Sequence, residues 1–174
     1  MARIPYADLD QETIQPIVKQ ITAERGSVIH LYQMLLHSPP VAQGWLDYLT
    51  AIRQKTSISG ALRELIIMRV AILNRAPYEA DQHAPIALQE GLSQAQLDAL
   101  EHWHDSELFT DKQRAVLALT DEMTLTVQVS KEVFAAVREH FGPQQLVEIT
   151  ATIAAYNMVS RFLEAMQIHS DDAR

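Results

Sequence analysis

The 174-residue chain contains no cysteine. Disulfides, thiolate nucleophiles and cysteine-ligated metal sites are therefore outside its chemistry, and any reaction must draw on His, carboxylates, Tyr, Ser, Lys or Arg. Glycine and proline are sparse, with five and seven copies, and no glycine-rich loop able to cradle a phosphate is present, so no nucleotide cofactor is expected. There is no Gly-x-Ser-x-Gly elbow and no His-Glu-x-x-His pair, which leaves serine-triad and zinc-peptidase chemistry without a motif. No run approaches the roughly 18 apolar residues that span a bilayer, and the opening MARIPYADLDQET meets acidic residues before any signal-like apolar run forms. A cytoplasmic protein with no membrane partner is expected. The 14 Lys and Arg residues are scattered and outnumbered by 22 Asp and Glu, for a net charge of -8; without a basic stripe, nucleic acid is not an expected partner.

What remains between the punctuating residues is apolar spacing of three and four, the helical period, with no convincing strand. The pattern predicts a first helix over 10–25, with Asp10 as cap, Gly26 as stop and Pro16 either in its first turn or displacing its start. Further helices are expected over 27–37 and 40–54, and over 59–74 behind Ser59, with Asn74 in the left-handed position at its end. The next is expected over 77–90 between Pro77 and Gly91. Ser93 with Gln96 and Thr110 with Gln113 have capping-box spacing before SQAQLDALEHW and RAVLALTDEMTL. Ser130 precedes KEVFAAVREHFG, and a long helix is expected from 143 to about 167. TLTVQVS, 124–130, reads as an extended linker. The fold class is all-α, a single-domain helical bundle of about eight helices.

The most chemically suggestive stretch is NRAPYEADQHAPIALQEG, 74–91, where Glu79 and His83 lie four apart on one helix face. A carboxylate at that distance can orient an imidazole, fix its tautomer and raise its basicity, which suits acid-base work; the same spacing is also common on solvated faces. Glu64, in LRELIIMRV, has neighbours expected to be buried. A desolvated carboxylate there can hold or pass a proton, or it can simply pair with Arg63 or Arg69. Glu79, His83, Asp81 and Glu64 would offer nitrogen and oxygen ligands to a metal, although two ligands four apart define no site by themselves. Arg161, in YNMVSRF, has the planar fork suited to a substrate carboxylate, or else closes a salt bridge.

The segment LRELIIMRVAILNRAPYEADQHAPIALQEGLSQAQLDAL resembles the central signature of the carboxymuconolactone decarboxylase and alkylhydroperoxidase-D-like superfamily. The shared features are Arg-Glu-Leu in an apolar helix, Tyr-Glu-x-x-x-His, and a Gly-Leu-Ser stop. LYQMLLHSPPVAQGWL and LVEITATIAAYNMVSRFLEA extend the resemblance over about 28–165. It implies an alkylhydroperoxidase-D-like fold over 28–168, preceded by an N-terminal helical extension, 1–27, and followed by a disordered tail, 169–174. It also implies a homo-oligomer (dimer, trimer or hexamer) with sites near subunit contacts. In the peroxidase branch two cysteines lie seven and four residues before the His; here those positions are Ala76 and Glu79, so a thiol relay is excluded. The decarboxylase branch implies a cofactor-free lyase or isomerase acting on small carboxylate-bearing lactones or rings. His83 would be the proton shuttle, Glu79 its orienter and Glu64 a second acid or base, with Arg161, Arg69, Tyr78 and Tyr156 holding the substrate and no resident metal. Two alternatives stay open: a non-catalytic oligomeric ligand-binding protein, and a metal-assisted enzyme using Glu79 and His83.

Overall fold

Side-chain caps and prolines set most of the helix starts. In the computed structural model, which describes residues 1–172, nine α-helices and two short 3-10 segments follow one another, and no strand forms among the described residues. The α-helices are α1 Gln15–Arg25, α2 His30–Leu35, α3 Pro39–Gln54, α4 Gly60–Asn74, α5 Pro77–Gln89, α6 Gln94–Ala99, α7 Asp111–Leu125, α8 Lys131–Arg138 and α9 Pro143–Met166. Ser59 and Ser130 accept the backbone N–H three residues on, and Ser93–Gln96 and Thr110–Gln113 close reciprocal capping boxes. Pro39, Pro77 and Pro143 open their helices, where a missing N–H costs nothing. None of the described helices is long and apolar enough to cross a membrane.

Several boundaries differ from those expected, each for a physical reason. Asp10 caps nothing: a 3-10 turn, Glu12–Ile14, precedes α1, whose start is displaced to place Pro16 in the first turn. Arg75, and not Asn74, takes the left-handed position after α4 (φ 54°). Bonds from Ala76 N to Ala71 O (2.9 Å) and from Arg75 N to Ile72 O (3.1 Å) close the helix end there. The same pair of bonds ends α5 around Gly91 (φ 105°) and α9 around Gln167 (φ 53°). SQAQLDALEHW does not continue as one helix. Arg69 Nη1 takes the carbonyls of Leu100 (2.8 Å) and Glu101 (3.2 Å), and Arg114 takes those of Trp103, His104 and Ser106, so the ladder breaks into a 3-10 segment, Leu100–Asp105. The 124–130 stretch ends α7 and then turns, with Val127 at φ 68°, so it is not an extended linker.

The chain divides into two compact units. The first comprises Met1–Lys55 and the C-terminal segment from Leu163, with Ile21, Leu36 and Leu46 buried within it. Here Arg25 donates to Thr50 Oγ1 (2.7 Å), which donates to Glu24 (2.6 Å). Of the segment expected as a tail, residues 173 and 174 lie outside the described residues, while Asp172 accepts from Tyr6 Oη at 2.5 Å. The second unit is Thr56–Phe162. Its centre is α4, which packs mainly on α5 and α7 and buries every residue from Leu62 to Ala71; each fully buried Leu or Ile contributes roughly 1.5–3 kcal/mol. In α9, Ile149, Ile153, Tyr156 and Ser160 form the buried stripe.

The capping box at α7 gives a direct check. Thr110→Ala removes the bond that the hydroxyl accepts from Gln113 N and the one it donates to Gln113 Oε1, leaving the backbone N–H of residue 110 on Gln113 Oε1, and is expected to lower stability by about 1 kcal/mol with an unchanged denaturant slope, measured by urea unfolding.

Candidate active site

A helix buried on all sides has no wet face for its charges. On α4, Arg63, Glu64 and Arg69 are all buried, so each must be neutralised inside the protein. Glu64, fully inaccessible, uses both oxygens: Oε2 lies 2.7 Å from His83 Nδ1 on α5, and Oε1 accepts from Arg63 Nε at 3.1 Å. Arg63 Nη2 in turn donates to Glu90 Oε1 at 3.1 Å, at the far end of α5. The result is a row of alternating charge, Glu90, Arg63, Glu64, His83.

An ionised carboxylate only accepts, so the proton between Glu64 and His83 belongs to Nδ1, and Nε2 becomes the atom through which the ring exchanges a proton. Burial pushes the Glu64 carboxyl up, but the hydrogen bond and charge of His83, together with the Arg63 guanidinium, outweigh it and hold the group below the usual carboxylate range. Tyr156, on the buried stripe of α9, meets the imidazole edge to face at 5.1 Å. Glu79, one turn before His83 and also buried, accepts from Ser160 Oγ at 2.6 Å; Ser160 also lies 2.9 Å from the Tyr156 carbonyl.

The structure thus gathers Glu64, His83, Glu79 and Tyr156. His83 Nδ1 goes to Glu64, across helices, and not to Glu79 as the i, i+4 spacing suggested. Arg69 is occupied: Nε and Nη2 grip Asp121 at 2.6 and 2.8 Å, Nη1 holds the two carbonyls described above, and Trp103 Nε1 completes the Asp121 shell at 3.1 Å. Four of its five N–H donors are thereby engaged. Arg161 bonds to the Asn157 carbonyl and side chain. Tyr78 is buried. Among the described residues no group of three or more His, Asp or Glu is arranged to hold a metal ion, so the metal-assisted reading lacks a ligand set. Beside the Arg75 corner, an apolar concavity of about 380 Å3 is lined by Ala71, Ile72, Arg75, Ala76, Pro77 and Ala80. Ser160, Arg75 and Glu90 were not identifiable from the sequence, because each gains its role from a partner on another helix or at a corner.

Residues 39–122 match the carboxymuconolactone decarboxylase family. The uncharacterized protein YdfG of Bacillus subtilis (strain 168) is 29% identical over 115 residues, which cover 65% of this chain and 78% of that protein. The fold is shared with an alkylhydroperoxidase AhpD core protein, an uncharacterized peroxidase-related protein from Ralstonia eutropha JMP134. That match has a TM-score of 0.83 and 20% identity, and covers 98% of this chain and 93% of that one. It is shared too with the debrominase Bmp8 in complex with 2,3,4-tribromopyrrole, with a TM-score of 0.80 and 18% identity over 97% and 93% of the two chains.

Because the folded-state affinity of Glu64 for its proton is depressed, its ionised form contributes stability above the ordinary glutamate value of about 4.3, and that contribution is lost as pH falls through the lower folded value. Glu64→Gln is therefore expected to cost about 3 kcal/mol at pH 7, with the gap to the wild type closing below about pH 4.3. Denaturant unfolding across pH 3–7 measures this, and a constant gap over that range would contradict it.

Proposed function

We propose that this chain, whose residues 39–122 match the carboxymuconolactone decarboxylase family and whose fold is that of alkylhydroperoxidase AhpD-like structures, is a cofactor-free lyase or isomerase that moves a proton at carbon in a small carboxylate-bearing lactone or ring compound. The observation that carries the reading is the buried 2.7 Å bond from His83 Nδ1 to Glu64. It orients the imidazole, selects the tautomer and stabilises the imidazolium once Nε2 has taken a proton. In decarboxylation the bond to the carboxylate carbon breaks, carbon dioxide leaves, and its electron pair passes into the conjugated ring. His83 Nε2–H then delivers a proton to carbon and is recharged from water. In isomerisation neutral Nε2 removes a proton from one carbon and returns it to another. Either way negative charge develops on the ring, so a nearby cation is useful.

Arg75 supports that part of the reading better than Arg69 or Arg161 does. It lines the apolar concavity together with Ala76 and Ala80, of which Ala80 lies one turn before His83 on α5, and an arginine beside an apolar recess suits a small apolar acid. The tribromopyrrole held by the structural relative is consistent with a small planar ring as the ligand class. A thiol cycle is not available to these 174 residues, since they contain no cysteine.

One observation favours a second reading, a ligand-binding protein without catalysis. Glu64 is bonded on both oxygens and His83 is only 8% exposed, as a purely structural cluster would be. The two separate in a turnover screen of small unsaturated carboxylates and lactones, run on wild type, His83→Ala and Arg75→Ala. The enzyme reading expects His83→Ala to lose about 100- to 10,000-fold in kcat/KM and Arg75→Ala to act mainly on KM. Full turnover in folded His83→Ala would sink it.

A further inference from the structure

We propose that Glu90 is a positioning residue for His83, acting through Arg63 and Glu64, and that Gly60 exists to admit its carboxylate. The functional meaning of this device rests on reading His83 as the proton-transfer group, but its physical effect does not.

Two independent observations carry it. The first is the continuous row of bonds. Glu90 Oε1 accepts from Arg63 Nη2 at 3.1 Å, Arg63 Nε donates to Glu64 Oε1 at 3.1 Å, and Glu64 Oε2 meets His83 Nδ1 at 2.7 Å. Only its outer end is open to water: the Glu90 side chain is 40% exposed and that of Glu64 is 0% exposed. The second is the space Glu90 occupies. A Cβ placed on Gly60 would lie 1.7 Å from Glu90 Oε2 and 2.1 Å from its carboxyl carbon. The carboxylate fills the volume of a side chain at the first residue of α4, where the unsatisfied N–H groups of the helix end also favour a negative charge. As a surface ion pair alone, Glu90 with Arg63 would be worth little; its interest lies in what Arg63 touches next.

The electrostatic consequence follows from counting the charges. Among the described residues, the imidazole meets Glu64, with Arg63 behind it, from α4 and Tyr156 from α9, while Glu79 stands one turn earlier on α5 and bonds to Ser160. Glu90, Arg63 and Glu64 together present one net negative charge, which favours the imidazolium. Without the Glu90 charge the row is neutral, and an uncompensated Arg63 draws Glu64 toward itself; both effects make His83 release its proton more readily. Without Arg63 the row carries two negative charges and His83 holds its proton more tightly.

The test is an NMR titration of the His83 Cε1–H signal, assigned by its loss in His83→Gln, on the full chain with no substrate. Glu90→Gln is expected to lower the His83 midpoint by roughly half a pH unit, the scale of one partly screened charge, and Arg63→Met to raise it. Gly60→Ala favours the helix intrinsically and meets only the flexible end of Glu90. It should therefore evict the carboxylate without unfolding the chain, and lower the midpoint as Glu90→Gln does. An unmoved midpoint in both Glu90→Gln and Gly60→Ala overturns the proposal, as does a downward shift in Arg63→Met. If the midpoints move as expected while His83→Ala keeps full turnover, the enzyme reading fails and the positioning network stands.

Discussion

The constraint on which the second unit depends is that α4 is buried from Leu62 to Ala71 while carrying three charged residues in that span. Water cannot help any of them, so the surrounding helices are arranged to do so. Arg69 is answered by Asp121 and by carbonyls stripped from the helical ladder after α6. Arg63 and Glu64 are answered by each other and by the middle and the C-terminal end of α5, through His83 and Glu90. One helix thereby dictates where α6 stops, how α7 is anchored and which residues of α5 face inward. Leaving any one of these charges unmatched would cost more than most single apolar contacts in the core contribute.

The same economy gives the two halves of α4 different characters. Around Arg69 four of the five N–H donors are spent on fixed acceptors, and the arrangement is scaffolding. Around Glu64 the chain of bonds ends on an imidazole, whose second nitrogen is not used by the bond to Glu64. At the two positions where the sequence resemblance sets a cysteine pair, this chain holds the methyl group of Ala76 and the carboxyl group of Glu79, bonded to Ser160.

Much of the fold was legible because helix starts are local events. Ser59, Ser93, Thr110 and Ser130 announce themselves by their spacing to the next N–H or glutamine, and the structure uses all four. Helix ends were less legible because remote side chains decide them. Nothing in SQAQLDALEHW says that Arg69, thirty-one residues upstream of Leu100, will take its carbonyl. Likewise the spacing of Glu79 and His83 pointed to a pair within one helix, whereas the Nδ1 proton goes to Glu64, whose place beside His83 follows from how α4 and α5 pack. Glu90 and Gly60 carried no local signal at all, since a glycine after a serine cap and a glutamate before a glycine are both ordinary helix punctuation.

The corner at Arg75 and Ala76 has a consequence for the spacing of Glu64 and His83. Two residues and a pair of hydrogen bonds connect α4 to α5, which leaves no slack to absorb a change in length. An α-helix advances about 100° per residue, so one residue inserted or removed between Leu65 and Gln82 would turn His83 by more than a quarter of a revolution relative to Glu64. The nineteen-residue interval is therefore a phase relation between two helices, and the tight corner is what keeps them in phase.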